Sequence, residues 1–294
     1  MKSSNRVEDP GAWIESTIKS FINNSPENSL KNEGNDRAWM DPLVGFSRGD
    51  DHLYREFKEY VGSFHWTPVE IFTRTFPAVK VGPGELTVIS WVLPQNERTK
   101  SDNRKQTTYP SERWVRARVY GEEANEKLRR HVVATIQESG CEAVAPMLSP
   151  FFERKTSERY GFASTWSERH AAYASGLGTF GLCDGLITPR GKAIRCGSVV
   201  AHIKIPPTNR QYNDHHAYCL FFTKGLCGEC IHRCPVRAIT EAGHDKMKCR
   251  NYLRPMVADY ARSHFGLEGD AYGCGLCQTD VPCESKIPIE YDVK

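Results

Sequence analysis

Apolar residues at helical spacing mark two segments of this chain. Residues 11–22 carry apolar side chains three and four positions apart, and the same spacing recurs over residues 121–140, which begin with acidic residues and end at a glycine. The stretch NNSPENSLKNEGND, residues 23–36, is polar and has no such period. We therefore expect an N-terminal helix followed by a polar linker, and a second amphipathic helix nearer the middle of the chain.

Strand-like patterns alternate with these helices. β-Branched and aromatic residues predict a buried strand in ELTVISWVLP (85–94), and CEAVAPML (141–148) predicts another. The stretch LITPRGKAIRCGSVVAHIKI (186–205) predicts two strands around a turn at Pro189–Gly191. Because strands and helices alternate, we expect an α/β domain that extends to about residue 212.

Composition limits the class of protein. The chain has 294 residues, of which 39% are hydrophobic and 26% charged, and a net charge of +3 is too small to indicate a nucleic-acid binder. There is no secretory signal and no apolar run of about eighteen residues, so we expect neither export nor membrane insertion. Eleven cysteines without such a signal indicate a reducing compartment, and the expected location is the cytoplasm.

Eight of these cysteines lie between Cys219 and Cys283, which is the number that two [4Fe–4S] clusters require. The stretch GLCGECIHRCPVRAI (225–239) contains the last three cysteines and the proline of the ferredoxin run C-x₂-C-x₂-C-x₃-C-P. Lys224 stands where the first cysteine belongs, and Cys219 is near enough along the chain to replace it. In two-cluster ferredoxins the fourth cysteine of each run binds the other cluster. This rule predicts a first cluster on Cys219, Cys227, Cys230 and Cys283, and a second on Cys234, Cys249, Cys274 and Cys277.

Zinc is the alternative metal for two C-x₂-C pairs. Zinc ribbons separate their pairs by about fifteen to twenty residues, whereas Cys230 and Cys274 are 44 positions apart. Zinc would also leave four cysteines and the Cys-Pro dipeptide without a role. Iron–sulfur clusters are therefore the favoured interpretation.

The stretch GLGTFG (176–181) matches the G-x-G-x-x-G dinucleotide fingerprint in letters only. That fingerprint follows a strand and begins a helix, but STWSERHAAYAS before it predicts a helix, capped near Ser164 or Thr165. Gly176 is then the residue that ends this helix. A nicotinamide site is not expected. The glycines would instead form a tight turn or let a flat cofactor approach the backbone.

Together, WSERHAAYASGLGTFGLCDGLITPRGKAIRCGSVV, CGECIHRCPVRAI and YGCGLCQ resemble the epoxyqueuosine reductase family, which is related to the reductive dehalogenases. The resemblance spans residues 166–283. It implies an α/β (α+β) corrinoid-binding domain of the nitroreductase-like kind, followed by a C-terminal ferredoxin-like domain with two [4Fe–4S] clusters. It also implies cobalamin as the electron acceptor, held against Gly176, Gly178 and Gly181, and reduction of a small organic substrate.

The resemblance divides the chain into three parts: an N-terminal helix and linker (1–36), the corrinoid-binding domain (37–212) and the two-cluster domain (213–294). The implied electron donor is a low-potential ferredoxin or flavodoxin. The substrate is expected to be a small molecule rather than tRNA, because a helical-repeat extension seen on many epoxyqueuosine reductases has no counterpart after Cys283.

The chain departs from the family at the catalytic acid. Epoxyqueuosine reductases carry an aspartate about fourteen residues before GLG, and the corresponding residue here is Phe162, with no acid beside it. The dehalogenases use a tyrosine near a cation, and Tyr160, next to Arg159, is the candidate proton donor. The other interpretation of Tyr160 is an ordinary, half-buried tyrosine.

A second hypothesis is a corrinoid-free electron-transfer protein that docks to a redox partner. Residues 98–118 contain seven Lys or Arg and two acids, with two aromatic residues among them. This segment is expected to be either a solvated loop or a docking surface for an anionic partner.

Overall fold

The computed structural model describes residues 8–269 and 271–288. Its central feature is a four-stranded sheet, beside which lie three two-stranded ladders. The strands are β1 (Leu43–Arg48), β2 (Thr87–Pro94), β3 (Ala143–Val144), β4 (Arg154–Ser157), β5 (Gly161–Ser164), β6 (Thr179–Phe180), β7 (Leu186–Ile187), β8 (Ile194–Ala201), β9 (Ile239–Thr240) and β10 (Gly243–His244).

The central sheet has the order β1-β2-β8-β3, and each described ladder in the chain is antiparallel. β2 pairs along its whole length with β8, from Thr87 opposite Ala201 to Pro94 opposite Ile194. The other ladders join β4 to β5, β6 to β7 and β9 to β10. The mixed α/β content agrees with the expectation from sequence, and the antiparallel pairing makes the sheet one of the α+β kind.

Ten α-helices lie around these strands in the described residues. They are α1 (Pro10–Asn24), α2 (Leu53–Val61), α3 (Pro68–Thr75), α4 (Glu97–Arg104), α5 (Glu112–Glu138), α6 (Glu168–Ala174), α7 (Leu220–Lys224), α8 (Glu229–His232), α9 (Lys246–Asn251) and α10 (Ala258–Phe265), with a π-helical turn (Tyr252–Val257) between the last two. Over residues 8–269 and 271–288, every helix is too short or too polar to cross a membrane.

Helices cover both faces of the sheet. On one face, α1 and α5 pack against alternate residues of β2, among them Trp91. On the other face, α2, α3 and α6 pack against the remaining residues of β2, including Val88 and Val92. Every residue of β2 is therefore buried, which explains why its sequence is a nearly continuous apolar run rather than an alternating one.

Several predicted elements are confirmed. The N-terminal helix is α1, the strand predicted at 85–94 is β2, and two strands flank the turn before Gly191. Gly176 follows α6 with a positive φ of 77°, as expected for a residue that ends a helix. The cap of α6 is different from the prediction, because Ser167 is the residue that accepts the N–H of His170.

Two predictions of local structure are wrong. α5 begins at Glu112 rather than at residue 121, because the hydroxyl of Ser111 caps it by accepting the Trp114 N–H. The segment 98–118 is thus largely helical, divided between α4 and α5, and is not a loop. The strand predicted at 141–148 shrinks to Ala143–Val144, since a 3₁₀ turn begins at the proline that follows.

A buried ionic network joins the sheet to two helices. Arg129 of α5 donates to Glu122 at 2.9 Å, to Glu168 of α6 at 3.0 Å and to the carbonyl of Cys196 in β8 at 3.2 Å. Burial disfavours the charged guanidinium, but Glu168 and Glu122 outweigh it and raise the pKa of Arg129. The network therefore orients α6, and with it the glycine turn that follows.

Replacing Arg129 should unfold the protein more easily. Arg129→Met leaves Glu168 without its cation, while Glu122 keeps its ion pair with Arg195; removing one partner of such a network costs about 3–5 kcal/mol. We expect a loss of that size in the free energy of unfolding, measured by urea denaturation. Arg130→Met is the matched control, because Arg130 is the next residue of the same helix and is exposed. Equal stability of the two variants would contradict the role given to the network.

Candidate functional site

The cysteine-rich segment is attached to the central fold through α4. The amide of Asn103 donates to the hydroxyl of Thr279 at 3.1 Å, and Arg104 binds the carboxylate of Glu284 through both oxygens. In the other direction, the guanidinium of Arg233 in the cysteine-rich segment donates to the Asn103 carbonyl of α4 at 3.2 Å. These bonds hold the C-terminal part of the segment in a defined place without any metal.

The four cysteines predicted for the first cluster lie together. They line a single cavity, together with Lys192 and apolar residues on either side. The four come from separate elements. Cys219 caps the N-terminus of α7, Cys227 lies between α7 and α8, Cys230 lies in α8, and Cys283 follows the 3₁₀ turn Leu276–Gln278. The structure thus brings this predicted set together.

The geometry of α7 explains the replacement of a cysteine by Lys224. Cys219 is the N-cap residue of α7 and is buried, whereas Lys224 ends the same helix. Gly225 then takes a left-handed conformation, with φ of 64°, and turns the chain back toward the cavity. The short helix therefore places Cys219 in the cavity that Cys227 and Cys230 also line, and its role as the replacement ligand stays a prediction.

The second predicted set is grouped around Cys274. Burial, and to a smaller extent the neighbouring Cys249 and Cys234, raise the pKa of Cys274 to about 12. Cys277 follows one turn later and also interacts with Cys274. The sulfur of Cys234 accepts the backbone N–H of Ala238 at 3.2 Å, the kind of bond that stabilises a thiolate.

The sulfurs of neither set are gathered around a point. Within residues 8–269 and 271–288, no group of three or more His, Cys, Asp or Glu side chains could hold a metal ion. A single zinc ion needs four sulfurs about 2.3 Å from one centre. In a [4Fe–4S] cluster each sulfur binds a different iron atom, so the ligands stand farther apart. The ligand assignment stays a prediction.

Two residues that the sequence did not single out lie between the sets. Cys183 is within hydrogen-bonding reach of Cys230 in the first set and of Cys277 in the second. The ammonium of Lys192 lies 3.2 Å from the Cys183 sulfur, and both side chains are buried. The only sequence signal was the position of Cys183 directly after the glycine turn, and nothing in the pattern indicated a buried lysine.

A charged group adjoins the second set. His244 contacts Asp184 at 3.2 Å and also interacts with Cys249. Burial disfavours the charged imidazole, but these two partners outweigh it and raise the pKa of His244 to about 9. Lys246 lies 3.5 Å from the same aspartate. Asp184 therefore joins the glycine turn to α9, which carries Cys249.

Tyr160 lies in the turn between β4 and β5. It is 37% exposed, with the guanidinium of Arg159 5.3 Å and the ammonium of Lys246 5.0 Å from the ring centre. The predicted cation is thus present, and a second one comes from α9. The structure places Tyr160 beside the helix of Cys249, but its role as a proton donor stays a prediction.

The glycine turn packs closely against the protein itself. A Cβ on Gly178 would lie 2.2 Å from the carbonyl oxygen of Ile187, and one on Gly176 would lie 3.2 Å from Thr208. A Cβ on Gly181 would lie 3.3 Å from the Cδ1 of Ile187. These contacts explain the absent side chains by internal packing. Contact of the three glycines with a cofactor stays a prediction.

The charges of segment 98–118 are largely paired within the chain. Six of its seven basic residues form ion pairs with nearby acids, and Arg118 also has partners within the chain, among them the ring of Tyr272. The segment therefore presents less positive charge to a partner than its composition indicates, which weakens the docking hypothesis.

A second cavity, of about 570 Å³, opens between α2, α3 and the β4–β5 ladder. Its walls carry both signs of charge, and two of its basic side chains are paired inside it, Lys58 with Glu70 and Lys155 with Glu153. It is large enough for a small organic molecule. Its hairpin wall consists of Glu153, Lys155 and Thr165, which lie toward the end of the β4–β5 ladder opposite the turn that carries Tyr160.

Comparison with family models and with curated proteins gave no match. Solved structures do match. A reductive dehalogenase described with a mechanism for B12-dependent dehalogenation has a TM-score of 0.51 and 13% identity, over 84% of this chain and 30% of that one. The dehalogenase NpRdhA in complex with 3-bromo-4-hydroxybenzoic acid has a TM-score of 0.51 and 12% identity, over 95% and 37%.

Epoxyqueuosine reductase from Bacillus subtilis is also similar, with a TM-score of 0.43 and 16% identity, over 94% of this chain and 68% of that one. The family resemblance predicted from sequence is thus confirmed in the fold, which is that of the reductive dehalogenases. The chain spans about a third of the length of those dehalogenases.

Proposed function

We propose that this protein is a reductase that passes electrons through two [4Fe–4S] clusters to a bound corrinoid and so reduces a small organic substrate. The observation that carries the proposal is the grouping of eight cysteines into two adjacent sets on a fold shared with a B12-dependent dehalogenase. A low-potential ferredoxin or flavodoxin would supply the electrons.

The donor sets suit iron–sulfur clusters. Thiolates are soft, anionic ligands, and eight of them match the need of two cubanes. Cys183 between the sets indicates that they are close neighbours, as a relay for single electrons requires. Side-chain hydrogen bonds between the segment and α4 would keep the sulfurs in place during redox cycling.

The corrinoid part of the proposal rests on the likeness in fold. When bound, a reduced corrinoid supplies a strong nucleophile and one-electron reductant, which the amino acids alone do not offer. The chain's own contributions would be to exclude water and to deliver a proton. Tyr160, beside two cations, would donate that proton from its hydroxyl group. The cavity of about 570 Å³ between α2, α3 and the open end of the β4–β5 hairpin is the proposed entry for a small substrate.

Iron content tests the cluster assignment. After anaerobic reconstitution we expect about eight irons per chain in the natural protein. Cys219→Ala should reduce this to about four, because the first set loses a ligand while the second is untouched. Iron and acid-labile sulfide are measured on desalted protein.

Cys141→Ala is the matched control, since Cys141 packs against the core of the central fold, away from both sets. Cys183→Ser serves as a second comparison and should keep about eight irons, because Cys183 is not assigned as a ligand. Equal iron in Cys219→Ala and Cys141→Ala would show that Cys219 is not the replacement ligand. Loss of iron in Cys183→Ser would show that Cys183 is one.

Corrinoid retention tests the remainder of the proposal. We expect the reconstituted protein to retain about one cobalt per chain after incubation with hydroxocobalamin and passage over a desalting column. A two-cluster ferredoxin treated in the same way controls for non-specific binding. Full iron without retained cobalt would favour the second candidate, a corrinoid-free electron-transfer protein. That outcome would agree with the internal packing of Gly178.

A further inference from the structure

Lys192 is a buried cation whose neighbours are sulfur atoms. Its side chain is 2% exposed, and its ammonium lies 3.2 Å from the sulfur of Cys183. Its side chain lines the cavity of the first set, and the Cys183 sulfur that it contacts lies 4.0 Å from the carbonyl oxygen of Cys277 in the second set. After Cys183, the groups that attract its charge most strongly are Cys283, Cys230 and Cys277. One positive charge therefore acts on both predicted sets.

The fold makes room for this side chain. A Cβ on Gly185 would lie 2.7 Å from the Cδ of Lys192, so the absence of a side chain there accommodates the aliphatic stem. The backbone N–H of Lys192 donates to the carbonyls of Cys283 at 2.8 Å and Glu284 at 3.0 Å. The residue is thus fixed at both ends, through its backbone and its ammonium.

A cation in such a place needs anions. Burial of an ammonium is strongly unfavourable unless fixed negative charges compensate it. The Cys183 sulfur in contact with the ammonium can supply one such charge, and thiolates bound to two clusters would add to it. The position of Lys192 is therefore explained if both sets carry negative charge, as cluster ligands do.

The same charge has a consequence for redox chemistry. Reduction adds an electron to a cluster, and a nearby positive charge stabilises the more negative state, so it raises the reduction potential. Because Lys192 acts on ligands of both sets, it would raise both potentials. A positive charge next to one cluster alone would raise only that cluster's potential and so separate the two potentials.

We propose that Lys192 is a shared positioning residue of the two-cluster electron relay. It raises the reduction potentials of both clusters and keeps the two potentials close to one another. This inference rests on the proposed two-cluster function. When an electron passes, one cluster is oxidised and the other is reduced, and Lys192 keeps its proton throughout. Cys183 orients the ammonium by accepting its N–H and is not itself oxidised.

Redox titration monitored by electron paramagnetic resonance tests this proposal. In Lys192→Met, which keeps the volume of the stem and removes the charge, we expect both midpoint potentials to become more negative at unchanged iron content. Lys192→Arg keeps the charge, so both of its midpoint potentials should lie close to those of the natural protein. Lys204→Met is the matched control, because Lys204 is exposed and outside the cysteine-rich segment. Unchanged potentials in fully loaded Lys192→Met would overturn the inference, as would a change in only one cluster.

A second variant tests the proposal if Lys192→Met does not take up its clusters. Gly185→Ala pushes the stem of Lys192 aside while leaving its charge, and it should lower both potentials by a smaller amount; no change in either would overturn the inference. Natural protein that takes up no clusters would instead refute the proposed function. The two failures are therefore distinguishable by iron content alone.

Discussion

Two backbone hydrogen bonds from Lys192 hold the end of the cysteine-rich segment against the central fold, and the proposed chemistry depends on this attachment. They are possible because Gly191 lets the Cys283–Glu284 backbone approach closely; a Cβ there would lie 2.1 Å from the Glu284 carbonyl oxygen. β8 begins at Ile194, only two residues beyond Lys192. The rigid sheet and the first set of sulfurs are thus connected by a very short piece of chain.

Two cations are deeply buried among residues 8–269 and 271–288, and their surroundings differ in kind. Arg129 is neutralised by two carboxylates, so that site is satisfied by the protein alone. Lys192 faces thiols, which are weak partners until they lose their protons. The first arrangement stabilises the packing of α5 on α6, while the second places Lys192 against Cys183, whose pKa is lowered well below its usual value by hydrogen bonds from Cys230 and Cys277 and by the charge of Lys192. Carboxylates therefore compensate the buried cation of the central fold, and sulfur compensates the one beside the cysteine-rich segment.

Local patterns predicted those parts of the fold that short-range forces determine. The period of α1, the apolar run of β2 and the turn before Gly191 each followed from the sequence. The start of α5 did not, because a dense run of basic residues concealed the Ser111 cap and the acids that pair with them. The strand expected at 141–148 failed since a proline ends it early.

The candidate site divides in the same way. Spacing along the chain was sufficient to propose both sulfur sets, including the substitution of Cys219 for a cysteine at position 224. It could not reveal Cys183 or Lys192, because their importance arises from contacts across the fold with residues about 35 to 95 positions away. The proximity of Tyr160 to α9 was hidden for the same reason.

If the proposed ligand sets are correct, the order of these cysteines in the sequence has a consequence for biosynthesis. All four sulfurs of the set around Cys274 leave the ribosome before Cys283 does, whereas the set that contains Cys219 stays one ligand short until that last cysteine emerges. Metallation during translation would therefore have a fixed order, with the later motif completed first. Gly191 and Lys192 are synthesised about ninety residues before Cys283, and their backbone would receive the closing segment.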